Sequence, residues 1–309
     1  MARYLALRTL RALATVVGVV LLVFALVRAL PGDPARLILG DTATEADLHA
    51  MRARLHLDEG LGAQLWHYAG DVLDGSLGHS FRAPDTTVWS HIAEVFPDTA
   101  MLALVAVVLA WLIAIPLGVA AALSRGRGVD RAARVVALSG VALPTIWLGP
   151  LLVLLFAVEL RALPMPGDDE GGPLSLVLPA ITIGAALAAA LTRQTRGAMI
   201  EALGEPYVTA ARARGLSRPR AAIAHALCNV MLPVVTVSAS QLGALLGGAV
   251  VAEKIFERRG LGSLMLDAFA ARDIPVLQGT VLVVALLYVT VQLLLDLAIA
   301  GLDPRVRLR

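Results

Sequence analysis

The segment from Glu205 to Pro233 carries the side chains best suited to a specific role, and that role is binding rather than bond making. It reads EPYVTAARARGLSRPRAAIAHALCNVMLP and lies between two runs apolar enough to span a bilayer. Its arginines give it a polar character, and its composition is typical of helices. The alanines near its start keep a helix thin, so that another protein can approach the backbone closely. We therefore expect a docking surface here.

Local signals in this segment predict two helices separated by a bend. Pro206 stands where a helix can begin, and Tyr207–Arg214 is compatible with a short helix. Gly215 then supplies the residue of positive φ that ends it, because only glycine adopts this conformation without a Cβ penalty. Ser217 can cap the second helix, and Pro219 is tolerated in its first turn. The second helix is expected to continue into the membrane.

Histidines form the second group of residues with potential chemistry. The chain has 6 histidines, and all but one of them lie between residues 49 and 91. Successive ones are separated by 7, 11, 12 and 12 residues, which lacks the close i, i+3 or i+4 pairing typical of metal sites. The sequence therefore predicts solvated or structural histidines and no metal site.

Catalytic motifs are missing from the sequence. There is no G-x-x-x-x-G-K-[ST] phosphate loop, and no Ser/His/Asp or Cys/His constellation is evident. The single cysteine, Cys228, excludes an intrachain disulfide and a cysteine-based zinc cluster. We expect no catalytic residue, no cofactor bound by this chain and no enzymatic activity.

The elements that position these residues are predicted to be membrane helices. Of the 309 residues, 58% are apolar and 16% charged, and the mean hydropathy is +0.77, which is typical of an integral membrane protein. Each of six stretches has the roughly 20 mainly apolar residues that a spanning helix needs. They are residues 9–30, 98–124, 132–158, 176–198, 230–252 and 276–300. The fold class is an all-α integral membrane protein with six transmembrane helices.

The distribution of basic residues predicts the orientation. Arginines cluster near the N-terminus, at 125–134, at 193–220 and near the C-terminus, and with six spans all four groups fall on one side. The positive-inside rule then places both termini in the cytoplasm. The apolar N-terminal stretch is predicted to be an uncleaved first span.

Three segments follow from this topology: a first transmembrane helix (1–30), an extracytoplasmic lobe (31–97) and a core of five transmembrane helices (98–309). Within the lobe we expect an amphipathic helix around 43–56, capped by Thr42 or Thr44, and further helical pieces near 61–73. A cytoplasmic loop, residues 201–229, connects helices 4 and 5; we call it the coupling segment.

Polar residues inside the predicted spans are costly to bury in lipid and are functional candidates for that reason. Four of them are predicted to line a hydrophilic path for a substrate: Gln194, Ser238, Gln241 and Gln292.

The coupling segment resembles the cytoplasmic EAA loop of ABC-importer permeases, in the extended form of the dipeptide/oligopeptide/nickel family. The matching positions are Tyr207, Thr209, Ala210, Ala211, Arg212, Arg214, Gly215, Leu216, His225, Asn229, Leu232 and Pro233. Thr209 stands where the general signature has glutamate, and Cys228 stands where an arginine is common. Further blocks in the same order extend the resemblance from about residue 4 to residue 307.

This resemblance implies a permease subunit in the bacterial inner membrane, driven by separate ATPase subunits. Its partners would be a homologous second permease, two cytoplasmic ABC ATPase subunits that bind ATP and Mg²⁺, an extracytoplasmic solute-binding protein and membrane lipid. The matching residues of the coupling segment would contact the ATPase. The implied cargo is di- and oligopeptides, with nickel chelates or glutathione as alternatives.

Two other functions compete with this one. A secondary transporter working alone would need buried ion-coupling residues, which the predicted spans lack. A nucleic-acid-binding helix-turn-helix would need a free recognition helix, whereas the second helix here runs into a span. We therefore expect no nucleic-acid partner.

Overall fold

The computed structural model describes residues 2–29, 33–39 and 43–302. The chain divides into two compact units. The first comprises Met1–Asp98 with Arg259–Leu293, and the second Thr99–Arg258 with Leu294–Arg309. The division of the sequence at residues 30 and 97 stays a prediction.

The first unit is built from helices at both ends of the chain. They are α1 (Ala2–Ala29), α2 (Pro34–Leu39), α3 (Glu45–Arg54), α4 (Leu61–Leu73), the start of α5 (Val88–Leu123), α13 (Leu261–Ala271) and most of α14 (Ile274–Leu302). Its core is a cluster of buried apolar side chains that includes Val88, Ile92, Leu261 and Leu282. The aromatic rings of Phe24 and Tyr68 approach to 6.0 Å between centroids, so that α1 rests on α4.

The helices expected between residues 43 and 73 are confirmed. Thr44 caps α3: its hydroxyl oxygen accepts the backbone N–H of Asp47 at 3.2 Å, and the Asp47 carboxylate accepts the backbone N–H of Thr44 at 3.3 Å. Thr42, the alternative cap, lies outside the described residues. α4 occupies Leu61–Leu73, as its apolar spacing predicts.

A buried carboxylate ties the loop before α5 to the loop after α13. Asp273 is 5% exposed and accepts a hydrogen bond from the Ser80 hydroxyl and another from the backbone N–H of Phe81 at 3.2 Å. The guanidinium of Arg82 donates to the carbonyl oxygen of Ala271 at 2.8 Å. These bonds satisfy a carboxylate that would otherwise be costly to bury.

The second unit contains the remaining helices, arranged around α8. They are the rest of α5, α6 (Gly128–Ala142), α7 (Thr145–Leu152, continued as a π-helix over Val153–Glu159), a 3₁₀ segment (Asp169–Leu176), α8 (Val177–Leu203), α9 (Pro206–Ala213), α10 (Arg218–Ala221, continued as a π-helix over Ala222–Ala226), α11 (Leu227–Ser240) and α12 (Leu242–Ile255). α6, α7, α11 and α12 all pack against α8.

Small residues let these helices approach closely. A Cβ added at Gly184 of α8 would lie 3.0 Å from the carbonyl oxygen of Ala106, and one added at Gly140 would lie 3.0 Å from that of Ala185. Gly118 is tighter still, with Thr195 Cβ at 2.6 Å. Packing of backbone against backbone is the usual means of joining helices in lipid, where no hydrophobic driving force acts between them.

Five helical segments in the described residues are long and apolar enough to cross a membrane, or up to six if a bent pair counts as one span. The five contain Arg8–Ala25, Val88–Leu123, Gly172–Leu203, Arg218–Ser240 and Ile274–Leu294. An all-helical membrane architecture is confirmed by this count.

Three predicted spans need correction. Residues 132–158 are not one straight helix, because the chain bends by 108° between Gly128–Gly140 and Thr145–Glu159. Pro144, which lacks a backbone donor, stands at this break. The helix that contains the second predicted span begins at Val88, before residue 98. Residues 230–252 cross a helix junction at Gln241, and the long apolar helical segment that includes their first part begins at Arg218.

Candidate functional site

The helix–bend–helix predicted for the coupling segment is confirmed, except for the side-chain cap expected from Ser217. α9 begins at Pro206 and ends at Ala213. Gly215 has a φ of +96°, and its backbone N–H bonds to the carbonyl oxygen of Arg212 at 2.9 Å. Ser217 has an extended backbone and precedes α10, and Pro219 lies in the first turn of that helix. The side chain of Ser217 makes no capping hydrogen bond. The bend therefore depends on the backbone of Gly215.

α9 has one buried and one exposed face. Val208 and Ala211 are 0% and 1% exposed, and Val208 belongs to the apolar core of the second unit. Leu216, just after the bend, is partly buried and packs against the same core. The opposite face presents Tyr207, Thr209, Ala210, Arg212 and Arg214 to the surroundings. Of the predicted coupling residues, Ala211 and Leu216 thus anchor the segment, whereas these five remain accessible.

A side-chain hydrogen bond links α9 to the long helical segment behind it. The amide nitrogen of Asn229 donates to the hydroxyl oxygen of Tyr207 at 2.9 Å, across 22 positions of the sequence. Tyr207 nevertheless keeps 40% of its surface exposed. The two residues were predicted to act in the same segment, and the structure brings them into contact.

The second helix of the segment continues into a membrane-spanning one. α10, the π-helix with exposed His225, and α11 follow one another from Arg218 to Ser240, and Pro233 lies within α11. A displacement of α10 would therefore be transmitted along α11. This continuity also removes the free recognition helix that a nucleic-acid-binding motif needs.

An ion-pair cluster at the turn between α5 and α6 was not predicted. The Asp130 side chain is 1% exposed and receives both Nε and a terminal nitrogen of Arg196, at 2.6 and 3.0 Å. The backbone N–H of Gly126 donates to it at 2.9 Å, and Arg134 approaches at 3.4 Å. In the sequence, these arginines served only to predict the orientation, because Asp130 and Arg196 lie 66 positions apart and their pairing has no local signal.

The predicted path residues are distributed over both units, and their common role stays a prediction. Ser238 is buried in α11, where its hydroxyl accepts the indole N–H of Trp111 at 2.8 Å and donates to the carbonyl oxygen of Val234. Gln194 and Gln241 are partly buried in the second unit. Gln292 is partly buried in α14 and belongs to the first unit.

The buried carboxylate of Glu253 in α12 was also not predicted from the sequence. Glu253 is 1% exposed and accepts a hydrogen bond from the Thr99 hydroxyl at 2.6 Å. It lies one residue beyond the predicted end of span five, so it was not counted among the intramembrane polar groups. The bond joins α5 to α12 within the second unit.

Comparison with known proteins agrees with this architecture. Residues 114–308 match a family described as the binding-protein-dependent transport system inner membrane component, and residues 1–103 match the corresponding N-terminal family. The chain is 39% identical to the glutathione transport system permease protein GsiC of Salmonella typhimurium, with 99% of each chain covered. It is 38% identical to the dipeptide transport system permease protein DppB of Escherichia coli K12, with 95% of each covered.

The protein is thus a multi-pass component of the bacterial inner membrane, of the class that works in solute import. It belongs to the family of inner-membrane components of binding-protein-dependent transport systems and is a permease subunit of an ABC importer. The members of this family are parts of transporters, not enzymes. Membership implies in general a second permease, ATPase subunits and a binding protein.

Proposed function

We propose that this permease forms, with a second homologous permease, the translocation path for small peptides, and that α9 and the bend after it receive the force of ATP hydrolysis. The observation that carries the proposal is the exposed, alanine-lined face of α9, which is held by its buried face and by Asn229 against the helical segment Arg218–Ser240. A thin helix fixed in this way can fit a groove on an ATPase subunit and transmit its movement.

Coupling in this proposal is mechanical. Closure of two ATPase subunits on the ATP and Mg²⁺ bound by those subunits displaces α9 and α10. Because α10 continues into α11, the displacement reaches the spans and favours the outward-facing state. The free energy of coupling lies in the different contacts that α9 makes in the two states, since a ligand or partner shifts an equilibrium only by its differential affinity.

The topology of the proposal has six spans, with the bent pair α6–α7 as the third and both termini in the cytoplasm. Residues 31–97 then face the binding protein on the outer side. The cargo follows from the relatives: one is named for glutathione and the other for dipeptide transport. Both cargoes are short peptides, so a short peptide backbone is the substrate class that we propose, with nickel chelates as the alternative.

Replacement of Gly215 by valine tests the coupling role. A Cβ at Gly215 would meet no atom within 4 Å, so the substitution adds backbone strain without a clash. A non-glycine residue in left-handed backbone costs about 1–2 kcal/mol, more for a β-branched one. We expect the complex to assemble while stimulation of its ATPase by loaded binding protein falls several-fold.

Gly128→Val is the matched control, because Gly128 also has open space for a Cβ but no positive φ. It should leave coupling unchanged. Full coupling in the Gly215→Val complex, at normal assembly, would contradict the docking role of the bend.

A further inference from the structure

The turn between α3 and α4 brings together three side chains that the sequence keeps apart. His56 Nδ1 lies 2.5 Å from one carboxylate oxygen of Glu59, and His67 Nε2 lies 3.1 Å from the other. The rings of the two histidines stack with their centroids 4.2 Å apart. One ligand atom from each of the three residues lies within 4.8 Å of the other two.

Backbone geometry explains why these side chains converge. α3 ends in a Schellman motif: the backbone N–H of Leu57 bonds to the carbonyl oxygen of Arg52 at 2.9 Å, and that of His56 to Ala53 at 3.2 Å. His56 occupies the left-handed position of this motif, with a φ of +55°, where glycine is usual. The chain therefore reverses at His56, and α4 returns with His67 facing the turn.

A side-chain amide holds the turn in this shape. The Nε2 group of Gln64 donates to the carbonyl oxygens of Leu57 and Glu59, at 3.2 and 2.9 Å. Both carbonyls belong to the turn between the helices, and Gln64 lies in the first turn of α4. The three potential ligands thus belong to a helical hairpin whose turn is held by hydrogen bonds.

The cluster opens onto a cavity of about 550 Å³ in the first unit, which His56 and His67 help to line. The side chains of His56, Glu59 and His67 are 47%, 38% and 49% exposed. Asp71 and His79 face the same cavity from α4 and from the loop before α5. An ion held by the three residues would therefore keep coordination positions open to water or to a small ligand.

The charge of the cluster suits a cation. The carboxylate of Glu59 supplies negative charge and lies within hydrogen-bonding distance of a ring nitrogen of each histidine. Two imidazole nitrogens and one carboxylate oxygen form the ligand set of several catalytic zinc sites, which bind three protein groups and leave a fourth position to water.

We propose that His56, Glu59 and His67 form a binding site for a divalent transition-metal ion of the Zn²⁺ class. Zn–N and Zn–O distances of about 2.0–2.2 Å require the ligand atoms to close around the ion. Each of the three side chains is more than a third exposed, and rotation about their own bonds is the movement that the proposal requires. Coordination through Nδ1 of His56 requires that nitrogen to be unprotonated, so the bound form carries the ring hydrogen on Nε2.

The experiment uses the full-length chain, purified in detergent without a polyhistidine tag, and titrates it with Zn²⁺ against a chromophoric chelator. We expect one saturable site. We expect binding to weaken by at least about tenfold in each of three variants: His56→Gln, Glu59→Gln and His67→Gln. Loss of a residue that only hydrogen-bonds to a metal ligand already costs about tenfold or more, and loss of a ligand should cost at least as much. His49→Gln, which removes an exposed histidine of α3, is the matched control and should bind like the parent.

Two further measurements protect the test from effects on folding. Co²⁺ bound to the parent protein should give visible absorption bands, which should disappear when Zn²⁺ displaces the Co²⁺. Zn²⁺ should also raise the midpoint of thermal unfolding of the parent but not that of Glu59→Gln. Affinity should also fall in acid, because protons compete with the metal for the two imidazole nitrogens. Equal Zn²⁺ affinity in the parent and in His56→Gln, Glu59→Gln and His67→Gln, or no saturable site in the parent, would overturn the proposal.

Discussion

At the scale of single residues, the bond between Tyr207 and Asn229 fixes α9 to α11. Tyr207→Phe removes this bond and leaves the ring, at a cost of about 1 kcal/mol in the docking of α9. A cost of this size changes a two-state equilibrium by about fivefold. We expect substrate-stimulated ATP hydrolysis to decrease several-fold in the reconstituted complex.

Tyr288→Phe serves as the matched control for this change. Tyr288 lies in α14 and is 38% exposed, so its exposure is close to that of Tyr207. The control should retain normal coupling. If Tyr207→Phe does so as well, α9 is held adequately by Val208 and Ala211 alone.

Asp130 offers a residue-scale prediction about stability. Asp130→Asn keeps the shape of the side chain but removes the charge that Arg196 binds through two hydrogen bonds. We expect a loss of about 3 kcal/mol in the free energy of unfolding, because the guanidinium of Arg196, which is 23% exposed, loses its counter-ion at a buried position. Tryptophan fluorescence during unfolding in mixed SDS micelles would measure it.

Arg134→Gln probes the exposed side of the same cluster. Its side chain is 54% exposed and 3.4 Å from Asp130, so the loss should stay below about 1 kcal/mol. Equal losses in the two variants would mean that the bidentate pair contributes no more than a surface contact.

Residue types and local spacing predicted the bend after α9 but not the contacts between side chains that are distant in the sequence. Pro206, Gly215 and Ser217 each act through their own backbone, so their roles are visible in the sequence. The pairs Asp130–Arg196 and Thr99–Glu253 depend on helix packing over 66 and 154 positions. The spacing of the histidines in the sequence likewise does not reveal the chain reversal that brings His56 to His67.

At the scale of elements, the contact between α5 and α8 requires glycine at position 118. Gly118→Ala places a Cβ 2.6 Å from Thr195 Cβ and 3.0 Å from the carbonyl oxygen of Thr192. The helices must separate, at a cost of about 1–3 kcal/mol in the free energy of unfolding. SDS unfolding of the purified chain would measure this loss.

Gly197→Ala is the control for that prediction, because it adds the same methyl group to α8 where no atom lies within 4 Å. Alanine is the better helix former, so this variant should match the parent or gain about 0.5–1 kcal/mol. A loss of similar size in both variants would refute the packing explanation.

Hydropathy predicted most helices but not their breaks. The apolar run 132–158 contains a bend at Pro144, and the run 230–252 contains the junction at Gln241. An average over about 20 residues reports composition and is insensitive to the direction of the axis. The continuation of α10 into α11, by contrast, was predicted from the helix signals at Ser217 and Pro219 and is confirmed.

At the scale of the whole molecule, the proposed topology predicts opposite sides for the α3–α4 turn and the bend after α9. In a Cys228→Ser background, Asp58→Cys should react with a membrane-impermeant maleimide added outside spheroplasts. Ser217→Cys should react only in inside-out vesicles. Both positions belong to exposed residues of the folded chain. Reaction of both from one side would contradict the topology and, with it, the cytoplasmic position of α9.

The central claim is that α9 contacts an ATPase subunit, and site-specific photocrosslinking tests it most directly. A photoreactive phenylalanine derivative replaces Ala210, on the exposed face of α9, or Val135, an equally accessible position on α6 that is 64% exposed. In the assembled complex, we predict a covalent product with the ATPase subunit from position 210 and none from position 135. Absence of that product from position 210 in a complex that still hydrolyses ATP would contradict the account.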